Sequence, residues 1–302
     1  MNKPLTFLLS LTFLFLFSGS VYGDDFQDGL DAYQRKDYKE AVRLYRLSGE
    51  QGHALAQYNL GVMCQNGQGV PQDKKEAVKW YRLSAEQGEA SAQYNLGLMY
   101  FNRHGVPQDF KKTVKWWKLS AEQGHASAQY NLGLMYANGQ GVPQDFKEAV
   151  KWWKLSAEQG FGNAQYDLGM MYYKGLGVPQ DYKEAVKWYR LSAEQGYANA
   201  QYNLGHMYEK GKGVPQDYKE AVRSYRLAGE QGDVDAQLKL GVSYGMGRGV
   251  PKDYALAHMW WNLSGSNGNK EAAENRDIVE TKMTPQQIEK AQDMARNWKP
   301  KK

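Results

Sequence analysis

The sequence predicts an all-α protein, a right-handed α/α superhelical solenoid of helix-turn-helix repeats about 36 residues long. Three observations predict it. Prolines recur in one context, GVPQD at Pro71, Pro107, Pro143, Pro179 and Pro215 and GVPKD at Pro251, each 36 residues after the last. A second phrase keeps the same beat: AQYNLG from Ala56, Ala92, Ala128 and Ala200, AQYDLG from Ala164 and AQLKLG from Ala236. Apolar residues between these landmarks follow helical spacing, with no alternating strand pattern. Two landmarks per period imply two helices, and because one pair cannot bury both its faces, neighbours must stack.

The first 23 residues read as a secretory signal peptide: Lys3, an apolar run from Leu5 to Phe17, then small residues. Val21 and Gly23 occupy the minus-three and minus-one positions of a cleavage site, so the mature chain is expected to begin at Asp24, in the periplasm or outside the cell. The apolar run is shorter than the ~20 residues that span a bilayer. No later run approaches that length, so no membrane span is expected in the mature chain.

Residues 24–52 form an amino-terminal capping unit with a short loop, eight residues from Gly29 to Asp37 against twelve from Gly61 to Asp73. Six full units fill residues 53–268. In the first helix of a unit, Ala56, Leu60, Met63 and Cys64 share one face. Gly61, Gly97, Gly133, Gly169, Gly205 and Gly241 flank that face, and a glycine inside a helix costs about 1 kcal/mol. Six copies imply a common cause, expected to be close approach of the partner helix backbone. The second helix opens after the proline at Asp73, with Glu76 placed to close a reciprocal capping box, and Asp145, Asp181 and Asp217 repeat the pattern. It stops at a glycine such as Gly88. The pattern fades after Gly268, leaving capping helices over 269–298, the last opened by TPQQ at Thr284, and a basic tail at 299–302 expected to be solvated.

These residues resemble the Sel-one-like repeat family, relatives of the tetratricopeptide repeats. The pattern A-x-x-x-L-G-x-x-Y-x-x-G-x-G-V followed by D-x-x-x-A is met by Ala128, Leu132, Gly133, Tyr136, Gly139, Gly141, Val142, Asp145 and Ala149. The resemblance runs from about Phe26 to Gly268, and the first unit looks tetratricopeptide-like. Departures are local: Cys64 stands at a tyrosine position, Arg103 replaces the first loop glycine, and Thr113 replaces the second-helix alanine. The resemblance implies a concave surface lined by first helices and a protein or peptide partner held there.

Residues shared by every unit carry packing, so recognition is expected where units differ. At one first-helix position the units read Gln65, Phe101, Ala137, Tyr173, Glu209 and Gly245. At another they read Val62, Leu98, Leu134, Met170, His206 and Val242, and at a third His53, Glu89, His125, Phe161, Tyr197 and Asp233. The large members, Phe101, Phe161, Met170, Tyr173, Tyr197 and His206, form the expected partner-binding set, with packing between repeats as the competing role. The recurrent tyrosines Tyr58, Tyr94, Tyr130, Tyr166 and Tyr202 are assigned to contact between adjacent first helices, and the Trp pairs of the second helices to the core.

A basic ridge is the second candidate: Lys75 and Lys79, Lys111 and Lys115, Lys147 and Lys151, Lys183 and Lys187. It would bind an anionic envelope polymer, against a plainer role as a solvated face balanced by Glu76, Glu86 and their copies. The net charge of +5 and pI near 8.9 are mild and do not call for nucleic acid. Cys64 is the only cysteine, so no intramolecular disulfide can form, and its apolar face marks it as a core filler. The five histidines show no metal spacing and are expected as surface substitutions. The GxG loops follow a helix and precede a proline, the wrong context for a phosphate loop. No catalytic residue, cofactor or metal is therefore expected. The enzyme-class alternative comes from the resemblance: cysteine-rich secreted members are penicillin-binding proteins with weak β-lactamase activity, but they staple each repeat with a disulfide that this chain cannot make.

Overall fold

A computed structural model describes residues 18–301, and its regular elements are sixteen helices. The apolar run of the expected signal peptide, Leu5 to Phe17, lies outside the described residues. Among the described residues no helix is long and apolar enough to cross a membrane. The chain divides into two compact units at Gln144 and Asp145. The first holds α1 (Ser18–Gln34), α2 (Tyr38–Glu50), α3 (Ala54–Asn66), α4 (Lys74–Glu86), α5 (Ala90–Phe101), α6 (Phe110–Glu122) and α7 (Ala126–Asn138). The second holds α8 (Phe146–Glu158), α9 (Gly162–Lys174), α10 (Tyr182–Glu194), α11 (Ala198–Lys210), α12 (Tyr218–Glu230), α13 (Val234–Met246), α14 (Tyr254–Ser266), α15 (Lys270–Glu280) and α16 (Pro285–Asn297). Within each unit successive helix pairs stack, each helix packing on its neighbours in sequence up to α15, while α16 passes over α15 to pack on α14.

Local chemistry explains the helix boundaries. The Asp73 carboxylate accepts from the N–H groups of Lys75 (2.8 Å) and Glu76 (3.0 Å), a cap worth about 1 kcal/mol, and Asp181 and Asp217 repeat it. The expected reciprocal arm from Glu76 does not form. The Asp73 N–H is already donated to the Cys64 carbonyl at 2.9 Å, as those of Asp181 and Asp217 are to Tyr172 and Tyr208. Glu76 instead receives Lys79 Nζ at 2.8 Å and Trp80 Nε1 at 3.0 Å. The reciprocal box does form at α16, between Thr284 and Gln287.

The recurrent helix glycines are explained first by a ring, with the expected partner-helix backbone close behind it: a Cβ on Gly205 would lie 3.1 Å from the Ala221 carbonyl oxygen and one on Gly169 3.3 Å from that of Ala185. A Cβ on Gly61 would lie 2.7 Å from the Tyr81 ring, on Gly97 2.4 Å from Trp117, on Gly205 2.7 Å from Tyr225 and on Gly241 2.4 Å from Trp261. The first pair is built alike, with Gly29 against Tyr45 at 2.8 Å. The aromatic ring of the second helix thus lies across the first helix where no side chain interrupts.

A polar stitch joins neighbouring pairs. Gln57 is buried, and its Nε2 donates to the Gly49 carbonyl at 2.8 Å, while its Oε1 accepts from Gln87 Nε2 at 2.7 Å. Gln93 and Gln201 repeat both bonds, to Ala85 and Ala193 and from Gln123 and Gln231. Ser84, Ser120, Ser192 and Ser264 close each pair internally by donating to Ala54, Ala90, Gly162 and Val234 carbonyls. These buried amide and hydroxyl groups are therefore satisfied while they fix the register between pairs, the exceptions being Ser48 Oγ and Gln237 Oε1 at the two ends of the series.

At the carboxyl end α16 packs on α14, with Trp298 edge-on to Trp260 at 6.4 Å. It covers the last of a row of second-helix leucines: Leu83, Leu191 and Leu227 are 45%, 37% and 47% exposed, whereas Leu263 is 9% exposed. The tail is exposed over residues 299–301, as expected, and is also tethered at one point. Lys301 donates its backbone N–H to the Glu230 carbonyl at 2.7 Å and its Nζ to the Glu230 carboxylate at 2.8 Å.

Candidate functional site

Three of the six residues expected to bind a partner meet in one hollow. Met170 and Tyr173 of α9 and His206 of α11 line a cavity of about 170 Å³, together with Lys174, Tyr189, Tyr202, Asn203 and Met207. The Tyr173 ring is edge-on to His206 at 6.4 Å and tilted against Tyr182 at 5.5 Å. Lys212 donates from Nζ to the Tyr173 hydroxyl at 3.1 Å and lies 4.9 Å over its ring. Asn203 points Nδ2 at Met170 Sδ, 3.8 Å away.

Titration in the hollow follows burial. His206 is lowered by desolvation and by the cations Lys239, Lys212 and Lys210, with Glu209 opposing, so its imidazole is neutral at pH 7 and can both donate and accept. Tyr202 is pushed up to about 12, first by burial and then by Asp235, Asp233 and Glu209. The hollow thus combines a thioether and aromatic lining, neutral hydrogen-bonding groups and a cationic rim from Lys174 and Lys212. That arrangement suits an apolar side chain entering from a flexible chain whose flanks carry carboxylates.

The other three expected residues sit elsewhere. Phe101 belongs to the first compact unit, where it packs on Phe110 at 5.7 Å and Trp117 at 5.4 Å. Phe161 and Tyr197 stand at the N-caps of α9 and α11 and make no capping bond. The same position carries side-chain caps where the residue is polar: His53, Glu89, His125 and Asp233 each accept from the start of their helix. The Phe101 position also answers to its own pair. Gln65 and Glu209 accept from Tyr81 and Tyr225 hydroxyls at 2.9 and 2.7 Å, while Gly245 makes room for Trp261. Its variation is therefore matched to the second-helix ring it faces.

Sequence reasoning missed Asn203 and Lys212. Asn203 belongs to an invariant-looking phrase assigned to scaffold, yet it faces the hollow, with its Nδ2 directed at Met170 Sδ. The recurrent tyrosines contact both neighbours: the Tyr94 hydroxyl accepts from Asn131 of the next first helix at 3.4 Å, and its ring stacks on Trp117 of its own second helix at 6.3 Å. Lys212 lies in a loop, where periodicity carries no signal.

The eight ridge lysines are exposed, Lys75, Lys79, Lys111 and Lys115 in the first unit and Lys147, Lys151, Lys183 and Lys187 in the second. Their charge is partly answered locally. Glu76, Glu148 and Glu184 pair with Lys79, Lys151 and Lys187 at 2.8, 3.4 and 3.4 Å, and Lys115 lies 5.0 Å over the Trp116 ring. Cys64 is 1% exposed, and burial raises its thiol. The histidines are not surface substitutions: His258 is 1% exposed with Nε2 at 2.6 Å from Glu280, and His53 and His125 stack on Phe26 and Tyr94. Among the described residues no cluster of three or more His, Cys, Asp or Glu could hold a metal.

Seven segments match the Sel1 repeat family model, residues 23–53, 54–89, 90–125, 126–161, 162–197, 198–233 and 234–269, the first of them spanning the short-loop unit. A Sel1 repeat protein from Oxalobacter formigenes is 33% identical, covers 80% of this chain and 96% of its own, and superposes with a TM-score of 0.68. A protective antigen present in uropathogenic Escherichia coli strains, c5321, which displays an SLR fold, is 29% identical over 92% of this chain and 84% of its own, at 0.39. Helicobacter pylori cysteine-rich protein B is 22% identical over 43% of this chain and 92% of its own, at 0.35. No curated protein matches in sequence.

Proposed function

The chain belongs to the Sel1 repeat family, and on that premise we propose that it is a non-catalytic adaptor of the cell envelope that holds a segment of another protein. The observation that carries this reading is the hollow of Met170, Tyr173 and His206, where residues that differ from their counterparts in the other repeats converge beside the polar side chains of Asn203 and Lys174. The bound segment presents an apolar side chain between Met170, Tyr173 and Met207, its backbone bonds Asn203 and His206, and acidic flanks meet Lys174 and Lys212. The export part of the reading, to the periplasm or outside the cell, is supported by the amino-terminal sequence, with its charged start, its apolar run and small residues before Gly23.

The test is selection of displayed peptides on the purified mature chain. Peptides with a large apolar residue flanked by Asp or Glu are expected, and replacing Tyr173 and His206 together with Ala weakens their binding at least tenfold at an unchanged melting temperature. Equal affinity in that variant would remove the hollow from the proposal. Hydrolysis of nitrocefin above a heat-denatured control would contradict the non-catalytic reading.

A further inference from the structure

The second helices carry a buried indole at one register: Trp80, Trp116, Trp152, Trp188 and Trp260, between 6% and 9% exposed. In the capping pair α2 carries Leu44 at this register, and among the six full units the series is broken once, at Ser224, midway between Trp188 and Trp260. Around Trp80 the indole's surroundings are fully seen. Its Nε1 donates to Glu76 at 3.0 Å, and the Arg46 guanidinium lies 5.8 Å over the ring. Lysines lie over three of the sister rings, Lys115, Lys151 and Lys187 at 5.0, 5.4 and 5.0 Å.

At Ser224 every part of that surrounding is kept and only the ring is gone. Arg190 stands at the register of Arg46, Glu220 at that of Glu76 and Arg223 at that of Lys187. These three and Ser224 line an open hollow of about 180 Å³ floored by Ala193 and Leu204. The floor records the missing ring. Ala193 is 8% exposed where Ala85, Ala121 and Ala157 are 2%, and Leu204 is 8% exposed where Leu60, Leu96, Leu168 and Leu240 are 0%. A cavity of about 150 Å³ suffices for a benzene ring, and guanidinium groups favour the face of an aromatic ring. Trp152 and Trp188 leave their Nε1 without a partner, so stacking and burial define the socket more than the N–H bond does.

A second hollow of about 280 Å³ adjoins it, sharing Arg223 and Leu227 and continuing along Val222, Arg226 and Gly249. Leu227, at the junction, is 47% exposed. A ring socket opening into a trough fits a side chain carried on a polypeptide better than a free small molecule. We propose that the Ser224 hollow receives a tryptophan side chain of a partner polypeptide, which completes the indole series from outside. This surface is separate from the hollow at Tyr173 and does not rest on the function proposed for it.

The test titrates the full mature chain with N-acetyl-L-tryptophanamide and follows the methyl resonances of Ala193 and Leu204 by NMR. Saturable shifts of both are expected, with N-acetyl-L-leucinamide at least tenfold weaker. In Ser224→Trp the chain fills its own socket, so binding falls at least tenfold and the melting temperature does not drop. If that variant fails to fold, Ala193→Leu, which plugs the floor, gives the same loss of binding. No saturable shift in the wild-type chain, or equal binding in the plugged variant, overturns the socket. Binding of free indole without binding of the capped amino acid overturns the polypeptide ligand.

Discussion

Gly97→Ala tests what sets the distance between the helices of a pair. A methyl group at Gly97 would sit 2.4 Å from Trp117 Cδ1 and 2.5 Å from its Nε1, more than 1 Å inside ordinary contact near 3.5 Å. The ring is 2% exposed and cannot swing outward. Its Nε1 donates to the Tyr94 carbonyl at 3.1 Å, so any shift also strands a buried donor. Overpacking costs about 1–3 kcal/mol and the lost bond about 1–3 kcal/mol. Ala regains about 1 kcal/mol of helix propensity. The net expectation is a destabilisation of about 3 kcal/mol, read in urea unfolding followed by both circular dichroism and tryptophan fluorescence. In a Trp117→Leu background the same change should become neutral or stabilising by up to about 1 kcal/mol, since the ring is gone. A Gly97→Ala protein as stable as the parent, or a cost that persists without the ring, would refute the reasoning.

The remaining predictions concern single sites. Arg103 holds φ at 59° where the first helices of the other five full units end in glycine, a left-handed conformation that costs a non-glycine residue about 1–2 kcal/mol. Arg103→Gly should raise stability by about 1 kcal/mol, less what is lost with the bonds to Gln108 at 3.0 and 3.3 Å, as measured by thermal unfolding. Burial raises the Glu209 carboxyl, but the Tyr225 and Lys210 hydrogen bonds and the Lys239 charge outweigh it and hold it at about 2. A depressed carboxyl contributes stability that is fully present above its unfolded value near 4.5 and is lost as pH falls from there toward 2. That contribution is at most about 3 kcal/mol, and a Glu209→Gln protein should show a flatter stability profile across this acid window, with Tyr225→Phe intermediate. Gln93→Ala removes the buried bond to the Ala85 carbonyl, which then keeps only backbone N–H donors such as that of Gly88, and the bond from Gln123. A loss of about 1–3 kcal/mol is expected in the same urea assay.

The repeat, its two helices and their boundaries were legible in the sequence because proline, aspartate and glycine act locally: each fixes a cap or a turn through its own backbone chemistry. The role of Gln57 and its copies was not legible, since a polar residue on an apolar face declares its partner only when the next pair is in place. Gly61 and its copies announced a close approach but not that a ring makes it. Comparison among repeats located part of the candidate site. It brought out Met170, Tyr173 and His206, which the fold gathers, and Phe101, whose identity follows Trp117. It hid Asn203, because a residue can serve scaffold and surface together. Ser224 shows the converse: an absence within a repeat is visible in the sequence, yet its meaning needs the surroundings that the absent ring would have filled.

The central claim is that the hollow of α9 and α11 holds a segment of a partner polypeptide. The most direct measurement places a photo-crosslinking phenylalanine analogue at His206 in one strain and at Leu83 in another, illuminates living cells, and compares what each position captures. Leu83 is an exposed second-helix residue in the first compact unit, remote in sequence from the hollow. The account predicts a discrete polypeptide adduct at His206, abolished by Tyr173→Ala and absent at Leu83. No polypeptide adduct at His206, or the same adducts at both positions, would contradict it.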